Sequence, residues 1–145
     1  MSLELLTPVD NEVLESFDLL PKQVLGKSII VHTKKSGLPE IKGLNIVLIG
    51  CDEYRNSFFP NTQYNINDLR KCFYKLYPGN WNLNIADLGN LPNGAKVEDT
   101  YFALKEIAYH LKHHRVVLNM DQFFLLCLRA KNLDVPRPQQ QVALI

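Results

Sequence analysis

Asn82-Leu83-Asn84-Ile85-Ala86-Asp87-Leu88-Gly89-Asn90, then a turn, then Val97-Glu98-Asp99-Thr100-Tyr101-Phe102-Ala103-Leu104 and onward to Arg115, is the stretch whose reading decides the fold. Leu83, Ile85 and Leu88 make a short apolar run closed by Gly89, which predicts a strand. Leu91-Pro92-Asn93-Gly94 supplies turn chemistry, because proline fixes φ and glycine tolerates positive φ. From Val97 the period changes: Val97, Tyr101, Leu104, Ala108 and Leu111 recur at helical steps and predict an amphipathic helix. Glu98 and Asp99 near its start, and Lys112, His113, His114 and Arg115 at its end, complement the helix dipole. Val116-Val117-Leu118 reads as a second strand. Strand, helix and strand with short connections predict a βαβ unit of a parallel sheet.

Working outward, Asp10 or Asn11 caps a short helix carrying Val13, Leu14 and Phe17, which Leu20-Pro21 ends. Residues 28–33, with Ile29-Ile30-Val31, predict a strand. The run Leu44-Asn45-Ile46-Val47-Leu48-Ile49-Gly50 is what a central parallel strand covered on both faces looks like. Asn65 caps a further helix, with Asp68 positioned for a capping box. Ile66, Leu69, Phe73 and Leu76 are expected to line its buried face, with Arg70, Lys71 and Lys75 off it, and Pro78-Gly79 stops it. The run Phe123-Phe124-Leu125-Leu126-Cys127-Leu128 is expected to form an apolar helix, buried by this domain or by another chain. These elements predict an α/β fold of three layers, α/β/α, around a small mainly parallel sheet. The domain is expected over residues 1–134, with a mobile tail over residues 135–145.

A chain of 145 residues with 46% hydrophobic content can bury roughly 70% of its unfolded surface in one core. Sixteen Lys and Arg against fifteen Asp and Glu leave a formal charge of +1, with no basic block to bind nucleic acid or a membrane surface. Cys51, Cys72 and Cys127 are odd in number and widely spaced, which suits reduced thiols in the cytoplasm. No apolar run approaches the roughly 18 residues of a membrane span, and no signal-peptide pattern opens the chain.

Ligands of open α/β sheets bind beyond the carboxyl ends of the strands, so chemistry is expected in the loop that starts at Cys51. Asp52, Glu53, Arg55 and Asn56 are the candidates there for holding the charged end of a substrate. Cys51 stands at a nucleophile's position, but no partner His is assignable, and a buried structural thiol is the favoured reading. Asp87 is expected to hydrogen-bond a neighbouring loop rather than to move protons. His110, His113 and His114 have metal-ligand spacing along a helix, against the preferred reading of polar residues at a helix carboxyl end. Gly26, Gly43, Gly50 and Gly89 form no phosphate-cradling cluster.

Several of these pieces, in this order, resemble the amino-terminal part of the ureohydrolase family of arginases, agmatinases and formimidoylglutamases, and most of all its bacterial arginase- or formimidoylglutamase-like branch. The resemblance runs over about residues 5–118. It is carried by the strand ending Leu48-Ile49-Gly50 with Arg55-Asn56 after it, the helix from Leu69 to Leu76, Pro78-Gly79-Asn80-Trp81, Asp87-Leu88-Gly89-Asn90 and Glu98-Asp99-Thr100-Tyr101-Phe102-Ala103-Leu104. It implies a partial arginase-like fold and, in such enzymes, two manganese ions whose bridging hydroxide attacks a guanidinium or formimidoyl carbon. Gln122 in Asn119-Met120-Asp121-Gln122-Phe123 corresponds to the Gln of a family variant, without that variant's glycines and following Asp. The family's later aspartate-rich metal motifs do not occur. The expectation is therefore a truncated or degenerate relative without the dinuclear site, either natural or a product of gene decay or cloning, an out-of-frame tail among the alternatives. Such a domain would be non-catalytic and self-associating, as a homo-oligomer through the sheet edge or through Phe123 to Leu128. The alternative is a manganese-dependent C–N hydrolase of guanidino or formimidoyl amino acids.

Overall fold

A computed structural model describes residues 2–53, 55, 65–80, 82–112, 115–120 and 123–129. Five strands form one sheet: β1 (Ile30–Val31), β2 (Ile46–Cys51), β3 (Ile85–Leu91), β4 (Arg115–Met120) and β5 (Phe123–Arg129). Their spatial order is β1-β3-β2-β4-β5. The first four are parallel and β5 is antiparallel to β4, so the α/β class with a mainly parallel sheet holds. The helices are α1 (Asn11–Asp18), α2 (Ile66–Tyr74) and α3 (Val97–His110), with short 3-10 turns at Ser2–Leu5 and Leu25–Lys27. None of the described helices is long and apolar enough to cross a membrane. The predicted tail over residues 135–145 lies outside the described residues.

Alternation along β2 divides the core. Val47, Ile49 and Cys51 join Ala86, Leu88 and Leu91 against Leu104, Ile107 and Leu111 of the α3 layer. Leu48 points the other way, to Ile85, Tyr74 and Val13 of the α1 and α2 layer. Helices thus cover both faces of β2, as its near-continuous apolar run implied.

Four expectations need correction. The apolar run from Phe123 is strand β5, not a helix: it pairs antiparallel with β4, Met120 lying opposite Phe123, and bonds its backbone to β4 on one side. A run of that length has no periodicity to separate strand from helix. Strand β1 is two residues long rather than six. Gly89 does not close β3, and Leu83 lies outside the strand, which continues through Gly89 to Leu91. Finally, α2 is rotated from its predicted face: Ile66, Arg70 and Tyr74 are buried, whereas Leu69 and Leu76 are exposed. Among the caps, that of Asn65 is as expected, without the Asp68 capping box, and the Asp99 cap was not foreseen. Asn65 accepts from the Asn67 N–H at 2.9 Å, and the Asp99 carboxylate accepts from the Lys96 N–H at 2.9 Å. Asp10 occupies the N-cap of α1 but makes no side-chain cap, its carboxylate accepting from Asn67 Nδ2 at 2.8 Å instead.

Gly89 is a bulge. Leu48 pairs with Asp87 and Gly50 with Asn90, so β3 spends one residue more than β2 over the same span. The extra residue reverses the alternation, sending Leu91 into the α3 core and Asn90 toward α2. Its φ of +89° is open to glycine, and a Cβ there would overlap the carbonyl of Thr7. Thr7 itself forms an antiparallel bridge with Asn90, the two exchanging N–H···O bonds of 2.8 and 2.9 Å.

Candidate functional site

The chain leaves β2 for α2 on one face of the sheet and leaves β3 for α3 on the other. Beyond the carboxyl ends of these two neighbouring strands the connections diverge, which is the topological switch point where open α/β sheets hold ligands. Glu53 and Arg55 follow β2 into this crevice, and Gly94, Ala95 and Thr100 come from the β3 side.

The Glu53 carboxylate is buried (residue 8% exposed) and fully engaged. Arg55 donates to it from Nε (2.9 Å), Nη2 (2.6 Å) and its backbone N–H (3.1 Å). The Thr100 hydroxyl donates to it at 2.8 Å and accepts from the Gly94 N–H at 2.9 Å. Arg55 Nη1 reaches the Ala95 carbonyl at 3.0 Å, closing a bridge between the two loops. The Arg55 hydrogen bonds hold the Glu53 carboxyl below its ordinary range, and Thr100 assists, against the opposing effect of burial. Asp52 is exposed and titrates higher than usual through partial desolvation and the charges of Glu53 and Asp10. Its backbone carbonyl accepts from Asn93 Nδ2 at 2.9 Å.

A second polar cluster lies under the α2 layer. Asp87 is 0% exposed and accepts four hydrogen bonds: from Arg70 Nε (2.6 Å) and Nη2 (3.0 Å), the Tyr74 hydroxyl (2.7 Å) and the Gly89 N–H (2.9 Å). Arg70 also donates to Asn90 Oδ1 at 2.8 Å and to the Gly89 carbonyl at 3.1 Å. Gly50 leaves room for this, since a Cβ there would collide with the Asn90 side chain. Burial opposes the Arg70 charge, but the adjacent Asp87 carboxylate outweighs it and raises the Arg70 pKa. Burial and the Asp87 charge push the Tyr74 hydroxyl upward as well. Every acceptor position of Asp87 is used, so this cluster holds α2 to the bulge and has no lone pair to offer a ligand. Asp87 therefore bonds a helix and its own strand, rather than the neighbouring loop expected of it.

The structure brings together only part of the predicted site. Glu53 and Arg55 meet each other, while Asn56 lies outside the described residues, as do His113, His114 and Gln122. His110, the last residue of α3, is exposed at the opposite end of that helix from Thr100 and the switch point. The Cys51 thiol is buried, and burial pushes it up to about 11 against a backbone hydrogen bond at Glu53, the charges of Glu53 and Asp52 adding to the rise, which favours the protonated thiol at neutral pH. Sequence reading missed Thr100, Arg70, Asn90 and His32. His32 is buried after β1 and donates from Nδ1 to the Leu88 carbonyl at 2.9 Å. A histidine directly ending a β-branched run was the available signal for it.

The manganese pair implied by the resemblance requires several Asp and His ligands in one place. Among the described residues no three His, Cys, Asp or Glu side chains come together in that way. Glu53 and Asp87 are already committed to Arg55 and Arg70, so the donors present do not fit the metals. Fold and site define a small α/β domain with an internally paired switch-point crevice. The chain matches no protein-family model, no curated protein and no solved structure.

Proposed function

We propose that this chain is an α/β domain of ureohydrolase type, with a partial arginase-like fold, that does not itself catalyse and serves a structural, self-associating role in the cytoplasm. The observation that carries this reading is the state of Glu53. The buried carboxylate best placed for a metal or substrate spends its oxygens on Arg55 and Thr100 of its own chain. Strands β1 and β5 end the sheet at its two sides, and β5, seven residues long, is the longer template for a second copy to pair with. Metal content after incubation with excess manganese and desalting tests the proposal. Essentially no retained manganese is expected. About one or two ions per chain would overturn it, because retention of that kind needs a built ligand set.

One observation favours a second reading. Glu53 and Arg55 stand at the switch point, where an amino-acid-like ligand whose ammonium and carboxylate displaced their mutual pairing would meet an opposite charge at each end. On that reading the chain contributes substrate contacts to a manganese-dependent hydrolase of guanidino or formimidoyl amino acids, the metal ligands coming from another chain. Release of urea from arginine or agmatine, or of ammonia or formamide from formimidoylglutamate, in the presence of manganese would establish it. No release from any of the three would remove it.

A further inference from the structure

On the side of the sheet edge away from Glu53, three oxygen-bearing residues converge. Cys51 points into the α3 layer and Gly50 faces Arg70, so alternation carries Asp52 past the carboxyl end of β2 on the α2 side. Arg70 stands over Gly50, and Asn67, about one turn nearer the start of α2, therefore stands toward Asp52. The N-cap residue of α1, Asp10, completes the group, its Oδ2 accepting from Asn67 Nδ2 at 2.8 Å. Asp10 is close enough to be felt at Asp52, whose carboxyl is raised by partial desolvation, then by the charges of Glu53 and Asp10.

Asn67 supplies the observation that asks for a ligand. It is 9% exposed, and its Oδ1 is buried without a hydrogen-bond partner among the described residues. Asp10 fixes how the amide lies, because a flipped amide would set Oδ1 against a carboxylate oxygen. A buried carbonyl oxygen needs a donor or a cation. Asp10 and Asp52, neither ion-paired among the described residues, favour the cation. We infer that Asp10, Asp52 and Asn67 Oδ1 bind a hard divalent cation of the magnesium or calcium type. All three donors are oxygens, as such ions require, and the remaining coordination positions fall to water. A site of so few protein ligands holds its ion at about millimolar affinity and releases it on desalting. It is thus distinct from the tightly held manganese pair tested above, and it does not rest on the proposed function.

Thermal melts of the whole chain in magnesium chloride, and separately in calcium chloride, each against sodium chloride of equal ionic strength, test the site. Wild type should melt higher in at least one divalent salt, with a rise that follows binding as the ion is titrated. Asp10→Asn keeps an acceptor for Asn67, and Asp52→Asn changes an exposed side chain, so both variants should fold. Each should weaken the apparent affinity about tenfold, because each removes one of two ligand charges. A wild type that melts alike in divalent and matched sodium salts would overturn the site and leave Oδ1 to a water molecule. A divalent response that either variant retains at full strength would overturn it as well, placing the ion elsewhere.

Discussion

Asp87 is a carboxylate removed from water and held by four donors, two of them from Arg70. A buried pair of this kind contributes little net stability compared with apolar residues of the same shape, yet breaking it is costly. Asp87→Ala should lose about 3–5 kcal/mol in urea unfolding, since it strands the Arg70 charge. Adding Arg70→Met should recover part of that loss rather than add to it. Glu53 makes a prediction about pH. Its folded pKa lies below the ordinary 4.5, so its contribution is complete above that value and is lost as pH falls through the lowered folded value. Glu53→Gln should therefore be less stable than wild type at neutral pH, with the gap narrowing on acidification below about pH 4.5. Thermal melts across that range would show it, and a gap independent of pH would contradict it. The two described thiols should also differ: iodoacetamide at neutral pH, followed by peptide mapping, should label Cys72 on the native protein and Cys51 only after unfolding.

At the level of elements, the bulge in β3 governs what α2 can grip. Gly89→Ala places a Cβ against the Thr7 carbonyl at a φ that L-residues avoid, and should cost about 3 kcal/mol or more by chemical denaturation. A loss within 0.5 kcal/mol or so would mean that the Thr7 segment simply moves aside. The central strand and α3 were legible in the chain because their apolar periods are long and their ends carry glycine, proline and acidic residues. Two features were not. A pattern reading assigns Arg70 to solvent, and nothing within α2 discloses that Asp87, seventeen residues on, will neutralise it; the helix therefore turns its leucines outward. Gly89 likewise reads as a terminator, because glycine marks a strand end and a bulge with the same letter. Within the candidate site, Glu53 and Arg55 were legible from their position after β2. Thr100 was hidden because its side chain becomes polar machinery only when the β3 loop folds onto β2.

Across the whole molecule, β2 is paired along its full length on both sides, by β3 and by β4, and lies under helices on both faces. Its amides, from Ile46 to Cys51, should exchange with solvent deuterium only through global unfolding. Those of the two-residue β1 should exchange faster. Equal protection in the two strands would show that the sheet opens as one unit.

The bridge between Thr7 and Asn90 joins residues 83 positions apart in the chain. During synthesis the segment around Thr7 leaves the ribosome before its partner, the bulge of β3, which is made only after β1, β2 and α2. Strand β2 waits longer still, since β4 follows α3. Contacts of such long sequence separation slow folding and leave early apolar strands uncovered while they wait. The nascent chain therefore carries β2, its most apolar strand, unpaired until most of the sheet has emerged, and its yield in the cell should depend on chaperones that bind extended apolar segments.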